Sequence, residues 1–180
     1  MKQVLQSLRD GRTYIAPVPA PSCGKGQILI RTARSLISPG TERMLVEFGK
    51  GSLLKKARSQ PERVRQVLNK IKTDGLLPTL EAVRAKLDEP LPLGYCNAGT
   101  VLRCGDDATA RDFPPGTRVA SNGWHAEYVA VGRNLVAAIP DNVSDDEAAF
   151  TVMGAIALQG IRLAAPTLGE TVLVLSLIHI

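Results

Sequence analysis

Two hydrophobic periodicities alternate along this chain, and their order limits the folds open to it. Residues 1–42 and 91–143 consist of short segments rich in β-branched residues, separated by turn signals such as "RDG", "SPG" and "IPDN". Residues 43–90, between them, repeat apolar side chains at helical spacing. Many short strands with regular turns are typical of a small β barrel. We therefore expect a mainly β fold with added helices.

The segment "GQILIRTARSLIS" gives the clearest strand pattern. Ile28, Ile30 and Thr32 alternate with Leu29 and Arg31, so one face of the strand should point inward. Further strands are expected in "KQVLQS", "RTYIAPVP", "NAGTVLRCG", "GTRVAS", "HAEYVAVG" and "NLVAAIPDN".

The helical segment 43–90 carries the charge of the protein. It holds eleven basic and six acidic residues, which equals the formal net charge of +5 for the whole chain. Pro61 suits a first helical turn and Gly75 a position just past a helix end. The apolar repeats are Val64, Val67, Leu68 and Ile71, followed after Pro78 by Leu80, Val83 and Leu87. These amphipathic helices either turn a solvated basic face outward or recognise an anionic partner.

A long helix is predicted over "VSDDEAAFTVMGAIALQGIRLAAP". Ser144 is a good N-cap, Glu147 completes a capping box, and Asp145 and Asp146 favour the positive end of the helix dipole. Its small, apolar residues predict burial on several sides. The following "LGETVLVL" predicts a turn and a strand that is apolar on both faces, as in a parallel sheet.

Composition excludes several classes of function. Aromatic residues make up only 4% of the chain, which argues against base-stacking surfaces and a nucleic-acid partner. The N-terminus lacks a signal-peptide pattern, and no run approaches the roughly 20 apolar residues that span a bilayer. Three cysteines without Cys-x-x-Cys spacing favour reduced thiols, so we expect a cytoplasmic protein without a membrane partner.

Five phrases in order, "SLISPGTER", "PLGYCNAGTV", "HAEYVAV", "IPDNVSDDEAAF" and "LGETVLVL", resemble the medium-chain dehydrogenase/reductase superfamily. The resemblance covers nearly the whole chain except the helical segment. It implies a GroES-like substrate domain at 1–143 with a helical insertion at 43–90. Residues 144–180 would then be a linking helix and the first strand of an incomplete, nucleotide-binding Rossmann domain. "SLISPGTER", the helical segment and "PLGYCNAGTV" look most like a zinc-less branch of threonine and sorbitol dehydrogenase relatives, often fused in bacteria to an inositol-dehydrogenase-like half.

The resemblance also indicates that a metal site has been vacated. Where zinc-bearing relatives place a cysteine, a histidine and its neighbouring glutamate, this chain has Pro39, Tyr95 and Cys96, and the linking helix offers Met153. Proline has no ligand atom, and phenol and thioether are poor zinc ligands. We therefore expect no zinc.

Without a metal, hydride transfer still needs a proton donor or a group that stabilises the oxyanion. Carried over by position, Tyr95 could donate its phenol proton or be hydrogen-bonded within its loop, and Glu42 could orient substrate or carry protons. Ser38, Asn97, Thr151 and Met153 are candidates for lining the substrate cleft, with Asn97 able to fix a carbonyl or to cap the loop. His125, placed at the opening of a strand, is interpreted as a half-exposed structural residue. Cys96 lacks a neighbouring base and is not expected to be a nucleophile.

These expectations predict the substrate side of a zinc-independent, NAD- or NADP-dependent oxidoreductase acting on a small alcohol or carbonyl compound, sugar-derived ones included. A homo-oligomer is compatible with the complete protein. The alternative is a non-catalytic GroES-like module that recognises an anionic partner through its basic helices.

The tail "LSLIHI", Leu175 to Ile180, matches an in-frame translation of a common transposase sequencing adapter. No Gly-rich phosphate turn follows the strand predicted at Thr171–Leu175. We therefore expect a truncated fragment of a longer oxidoreductase, inactive by itself and unable to bind a dinucleotide tightly.

Overall fold

The fold is taken from a computed structural model that describes residues 1–52, 56–58 and 61–174, with only the backbone described at position 63. The chain divides into two compact units. The sheet unit comprises Met1–Gln3, Pro17–Gly40 and the chain from Gly94 onward, and the helical unit comprises Val4–Ala16 and Thr41–Leu93. Among the described residues, no helix is long and apolar enough to cross a membrane.

The sheet unit is built on a five-stranded antiparallel sheet in the order β7-β3-β5-β6-β8. Every one of these strands falls within a segment predicted from the sequence. Their bounds are Gln27–Ser35 for β3, Asn97–Cys104 for β5, Arg118–Ser121 for β6, Tyr128–Gly132 for β7 and Val136–Ala138 for β8.

Both faces of this sheet are covered. The alternation predicted in β3 is confirmed, since Ile28 and Ile30 are fully buried while Arg31 is exposed. They pack with Val101 and Val119 in one hydrophobic cluster. On the other face, a second cluster holds Ala98, Ala120, Ile139, Ala148 and Ala149. A one-residue slip in the strand pairing would move the side chains of each cluster to the opposite face of the sheet. Burial of both clusters therefore fixes the register of the strands.

The helical unit contains the predicted helices. They are α1 at Thr41–Lys50, α2 at Pro61–Asp74 and α3 at Leu76–Asp88. Pro61 does start a helix, and Gly75 does end one, with φ of 89° that a side chain would oppose. A three-stranded antiparallel sheet, in the order β2-β1-β4, is formed by β1 at Lys2–Gln6, β2 at Thr13–Pro17 and β4 at Leu91–Pro92.

The predicted long helix after residue 143 is two helices. The capping box is confirmed, since Ser144 accepts from the Glu147 amide and Glu147 accepts from the Ser144 amide. That cap starts only α5, at Asp145–Ala148; α6 begins at Thr151 and ends at Ala164. A short helix that the sequence did not predict, α4 at Asp107–Asp112, follows β5.

The burial predicted for this apolar helix is wrong. Most of α6 is exposed, including Ile156, Leu158, Ile161 and Leu163. Composition shows that a surface is apolar but does not show what covers it, and the described chain packs against α6 mainly at β6. The strand predicted at Thr171–Leu175 is likewise absent over Thr171–Val174, which are exposed, because a strand needs a hydrogen-bonded neighbour. Leu175 and the tail lie outside the described residues.

Candidate active site

A tight loop between β4 and β5 presents the triplet Gly94-Tyr95-Cys96. Gly94 has φ of 93°, and a Cβ there would lie 2.7 Å from both the backbone nitrogen and Cγ of His125. Only glycine allows this approach without displacing His125. The loop therefore has one fixed path, which ends with the strand start at Asn97.

Tyr95 and Met153, both predicted as site residues, are brought together. The Tyr95 hydroxyl donates to Met153 Sδ at 3.1 Å, and both side chains are partly buried. A thioether sulfur is a weak hydrogen-bond acceptor. A substrate oxygen beside the phenol would accept a stronger hydrogen bond from it. The contact places the phenol against the start of α6.

The start of α5 is held against β6 by an ion pair between Arg118 and Asp145. Arg118 donates from Nη2 to Asp145 Oδ1 at 2.7 Å and to the Val143 carbonyl at 2.7 Å. Both charged side chains are about two-thirds buried, so this pair is shielded more than a surface pair would be. It holds the first turn of α5 against β6, ahead of the separate helix that carries Thr151 and Met153.

Asn97 has an unusual pairing. It is 1% exposed, and its Nδ2 donates to Thr32 Oγ1 at 2.8 Å. Its Oδ1 has no hydrogen-bond partner among the described residues, and Asn122 Oδ1 shares that condition. A buried acceptor without a partner costs free energy unless a donor fills the position. Asn97 therefore suits a hydroxyl or N–H donor better than the carbonyl considered in the sequence analysis.

His125 lies closer to the candidate site than the sequence suggested. It is buried rather than half-exposed, and it stands three residues before β7, which begins at Tyr128, so both its expected exposure and its expected place at the opening of the strand are wrong. Its Nδ1 is 2.9 Å from Ser35 Oγ. The chain reaches this position through a close contact with Gly94, and no local sequence signal links the two. Ser35 was not singled out from the sequence, because its contact with His125 joins residues 90 positions apart.

The remaining candidates are placed as follows. Ser38 is buried in the sheet unit, and Glu42 is buried in the first turn of α1 in the helical unit. Thr151 is exposed at the start of α6. Cys96 is fully buried, and its carbonyl accepts from the Leu36 amide at 3.0 Å. A fully buried thiol is poorly placed to attack a substrate.

In the described ranges, no group of three or more His, Cys, Asp and Glu side chains is arranged to hold a metal ion. The groups that meet at the triplet are a phenol and a thioether, hydrogen-bonded to each other. A surface pocket of about 410 Å³ lies elsewhere, above the ion pair between Arg133 and Asp112, and none of the candidate residues lines it.

Structural comparison places the fold among oxidoreductases. A quinone oxidoreductase from Coxiella burnetii superposes with a TM-score of 0.64 and 21% identity, covering 94% of this chain and 47% of that one. Galactitol-1-phosphate dehydrogenase from Escherichia coli gives 0.61 and 19%, covering 92% and 45%. The quinone oxidoreductase from Thermus thermophilus, also solved in complex with NADPH, gives 0.59 and 19%, covering 94% and 43%.

At these identities the comparisons show the fold alone. They confirm the predicted fold class, a GroES-like domain of mixed sheets and helices. The chain spans less than half the length of these three structures. No family model and no curated protein matches the sequence.

Proposed function

We propose that this chain forms the substrate side of a zinc-independent, NAD(P)-dependent oxidoreductase acting on a small alcohol or carbonyl compound, sugar-derived ones included. Tyr95 donates the proton when the carbonyl is reduced and takes it back when the alcohol is oxidised. The observation that carries the proposal is the hydrogen bond that the Tyr95 hydroxyl donates to Met153 Sδ, a weak acceptor near the start of α6. The shared fold with dehydrogenases and quinone oxidoreductases supports it.

In the reductive direction, a bound nicotinamide would supply hydride to the substrate carbonyl carbon. The Tyr95 phenol would exchange its hydrogen bond from Met153 Sδ to the substrate oxygen and donate its proton as negative charge develops there. Asn97, whose buried side chain donates to Thr32 Oγ1, is proposed to shape the wall of the cleft. Ser38 and Thr151 are proposed to line the cleft and Glu42 to orient substrate or carry protons.

Several finer points belong to the same proposal. The catalytic groups work without zinc, because proline, phenol and thioether stand where metal ligands would be needed. The sequence contains no Gly-x-Gly-x-x-Gly turn for a pyrophosphate, so we expect the 180-residue chain alone to show no turnover. We place the complete protein in the cytoplasm, in the zinc-less branch that in bacteria is often fused to an inositol-dehydrogenase-like half.

The test uses the product of the intact gene. Replacing Tyr95→Phe removes only the phenolic oxygen, and we expect kcat to fall by about tenfold or more, because general acids contribute about 10²–10⁴. Met153→Leu, which removes the acceptor at similar volume, should leave kcat within about twofold. Tyr14→Phe, at an exposed tyrosine of the helical unit, is the matched control.

An unchanged kcat in Tyr95→Phe would remove the phenol from the mechanism. Near-stoichiometric zinc in the purified protein, lost together with activity on chelation, would overturn the zinc-independent part of the proposal.

A further inference from the structure

The end of β3 fixes the loop on the C-terminal side of Tyr95. The Cys96 carbonyl accepts a hydrogen bond of 3.0 Å from the Leu36 amide. One residue later, Asn97 is the register partner of Ser35 in the antiparallel pairing of β5 with β3. These backbone contacts determine where the loop enters β5.

The imidazole of His125 lies against the loop on the N-terminal side of Tyr95. A Cβ on Gly94 would stand 2.7 Å from His125 Cγ and 2.8 Å from Cδ2, so the backbone of Gly94 faces this edge of the ring. His125 is only 8% exposed, which leaves its ring little room to move away. A change in the orientation of the ring would therefore press on the residue that precedes Tyr95.

The hydroxyl of Ser35 holds the same ring from its other edge. Ser35 Oγ lies 2.9 Å from His125 Nδ1, the ring atom on the opposite side of Cγ from Cδ2. Removing this hydroxyl would take a directional partner from a buried polar atom, so the ring would be less firmly oriented. Ser35 thus acts on both ends of the loop, through its backbone at Asn97 and through His125 at Gly94.

Tyr95 lies between these two fixed ends. Because the peptide bond is planar and joins consecutive Cα atoms at a set distance, a displacement of Gly94 is passed on to Tyr95. A proton donor works only within about 2.6–3.2 Å of the atom that it protonates. The contacts at the ends of the loop therefore determine whether the phenol can meet a substrate oxygen.

We propose that Ser35 and His125 are positioning residues for Tyr95. The Ser35 hydroxyl orients the His125 ring, and the ring holds Gly94 and, with it, the Tyr95 phenol. Neither residue has a proposed contact with substrate or a part in proton transfer. The effect on turnover rests on the proposed function of Tyr95, whereas the effect on the position of the phenol does not.

Fluorine NMR of the 180-residue chain, labelled with 3-fluorotyrosine, measures the surroundings of the phenol. The chain has three tyrosines, Tyr14, Tyr95 and Tyr128, and the Tyr95→Phe variant assigns the Tyr95 resonance. We expect Ser35→Ala to shift the Tyr95 resonance by more than its linewidth and to leave that of Tyr14, in the helical unit, unchanged. Ser35→Thr, which keeps a hydroxyl, should return the resonance close to its parent position. Ser22→Ala, at an exposed serine of the sheet unit, is the matched control and should move none of the three.

Kinetics of the product of the intact gene measure the consequence for turnover. Ser35→Ala should lower kcat by about threefold or more and change KM by less than about twofold, because a misplaced proton donor is missed only in the transition state. Ser35→Thr should restore kcat. His125→Phe keeps a ring beside Gly94 and removes Nδ1. In that background Ser35→Ala should lower kcat no further, since Ser35 acts through that nitrogen.

Three outcomes would overturn the proposal. They are an unmoved Tyr95 resonance in Ser35→Ala, a failure of Ser35→Thr to restore both the resonance and kcat, and an equal fall in kcat from Ser35→Ala in the parent and in the His125→Phe background. A shifted Tyr95 resonance in Ser35→Ala, together with an unchanged kcat in Tyr95→Phe, would support the positioning and refute the proposed proton donation.

Discussion

The strand β3 and the helix α6 are both rich in apolar residues, yet they end in opposite environments. Ile30 of β3 is fully buried between neighbouring strands, whereas Ile161 of α6 is 47% exposed. Strand β3 has β5 on one side and β7 on the other, and clusters cover the sheet on both faces. Helix α6 meets the described chain mainly at β6, near its start.

The comparison shows when hydrophobic periodicity predicts which residues are buried and when it does not. In β3 the alternation of apolar and polar residues selects one buried face, so pattern and burial agree. In α6 apolar residues surround the helix, so the pattern names no face and only a neighbouring surface decides burial. A helix can thus be apolar and still contribute little to the stability of the chain that carries it.

The sharpest test of this contrast deletes the same atoms in both places. Ile30→Ala should lower the free energy of unfolding by about 2–5 kcal/mol, because it leaves a cavity among packed strands. Ile161→Ala should change it by no more than about 0.5 kcal/mol, since the side chain is half exposed. Urea unfolding of the 180-residue chain measures both. Comparable losses at the two positions would mean that α6 is buried in solution.

Two glycines offer a second comparison, because replacing each by alanine should change the stability in opposite directions. A Cβ on Gly105 would lie 1.8 Å from the Gly24 carbonyl oxygen, whereas a Cβ on Gly154 of α6 would meet nothing within 4 Å. Gly105→Ala should therefore destabilise by about 1–3 kcal/mol through overpacking. Gly154→Ala should stabilise by about 0.5–1 kcal/mol, because alanine loses less entropy in a helix. Shifts of the same sign in the urea midpoint would contradict the contrast.

The smallest expected effect is the pH dependence of stability that arises from Asp106, the N-cap of α4. Asp106 accepts from the amides of Thr109 and Gly26, and these bonds lower the pKa of its carboxyl from 3.8 to about 2. A carboxyl with a lowered pKa stabilises the fold above its unfolded value, and this stabilisation is lost as pH falls through the folded value. Asp106 should therefore contribute fully above pH 4 and lose its contribution towards pH 2.

The check is the urea midpoint at pH 7 and between pH 4 and 2. Asp106→Asn should lower the midpoint at pH 7 and flatten its dependence on pH below 4. Asp107→Asn removes the same charge one residue later without those two hydrogen bonds, and its acid profile should follow that of the parent. If both variants behave alike, net charge rather than the two amide contacts explains the effect.

Much of the fold follows from local patterns. The strand at Gln27–Ser35, the cap at Ser144 and the helix start at Pro61 each rest on residues within one turn or one strand, so sequence predicts them. Helix α4 was missed because its one signal is the cap at Asp106, without any apolar repeat. The break between α5 and α6 also has no glycine or proline to mark it.

The candidate site depended on contacts between distant segments. Resemblance selected Tyr95 and Met153, and the hydrogen bond between them joins residues 58 positions apart in the chain. The unpaired oxygen of Asn97 and the pairing of His125 with Ser35 required coordinates, since neither follows from spacing. The roles of Tyr95, Glu42, Ser38, Asn97, Thr151 and Met153 stay predictions until kinetics test them.

The hydrogen bond from Asn97 to Thr32 joins β5 to β3 at the centre of the sheet, although the two residues are 65 positions apart in the chain. The helical segment lies between these two strands in the sequence. The entropy lost in closing such a loop grows only with the logarithm of its length, so doubling the loop costs about 0.6 kcal/mol. Evolution can therefore lengthen, shorten or exchange the segment between these strands at little thermodynamic cost to the sheet. The pairing of β3 with β5 makes this position a permissive insertion point, where a binding function could be gained or lost while the sheet beside Tyr95 is preserved.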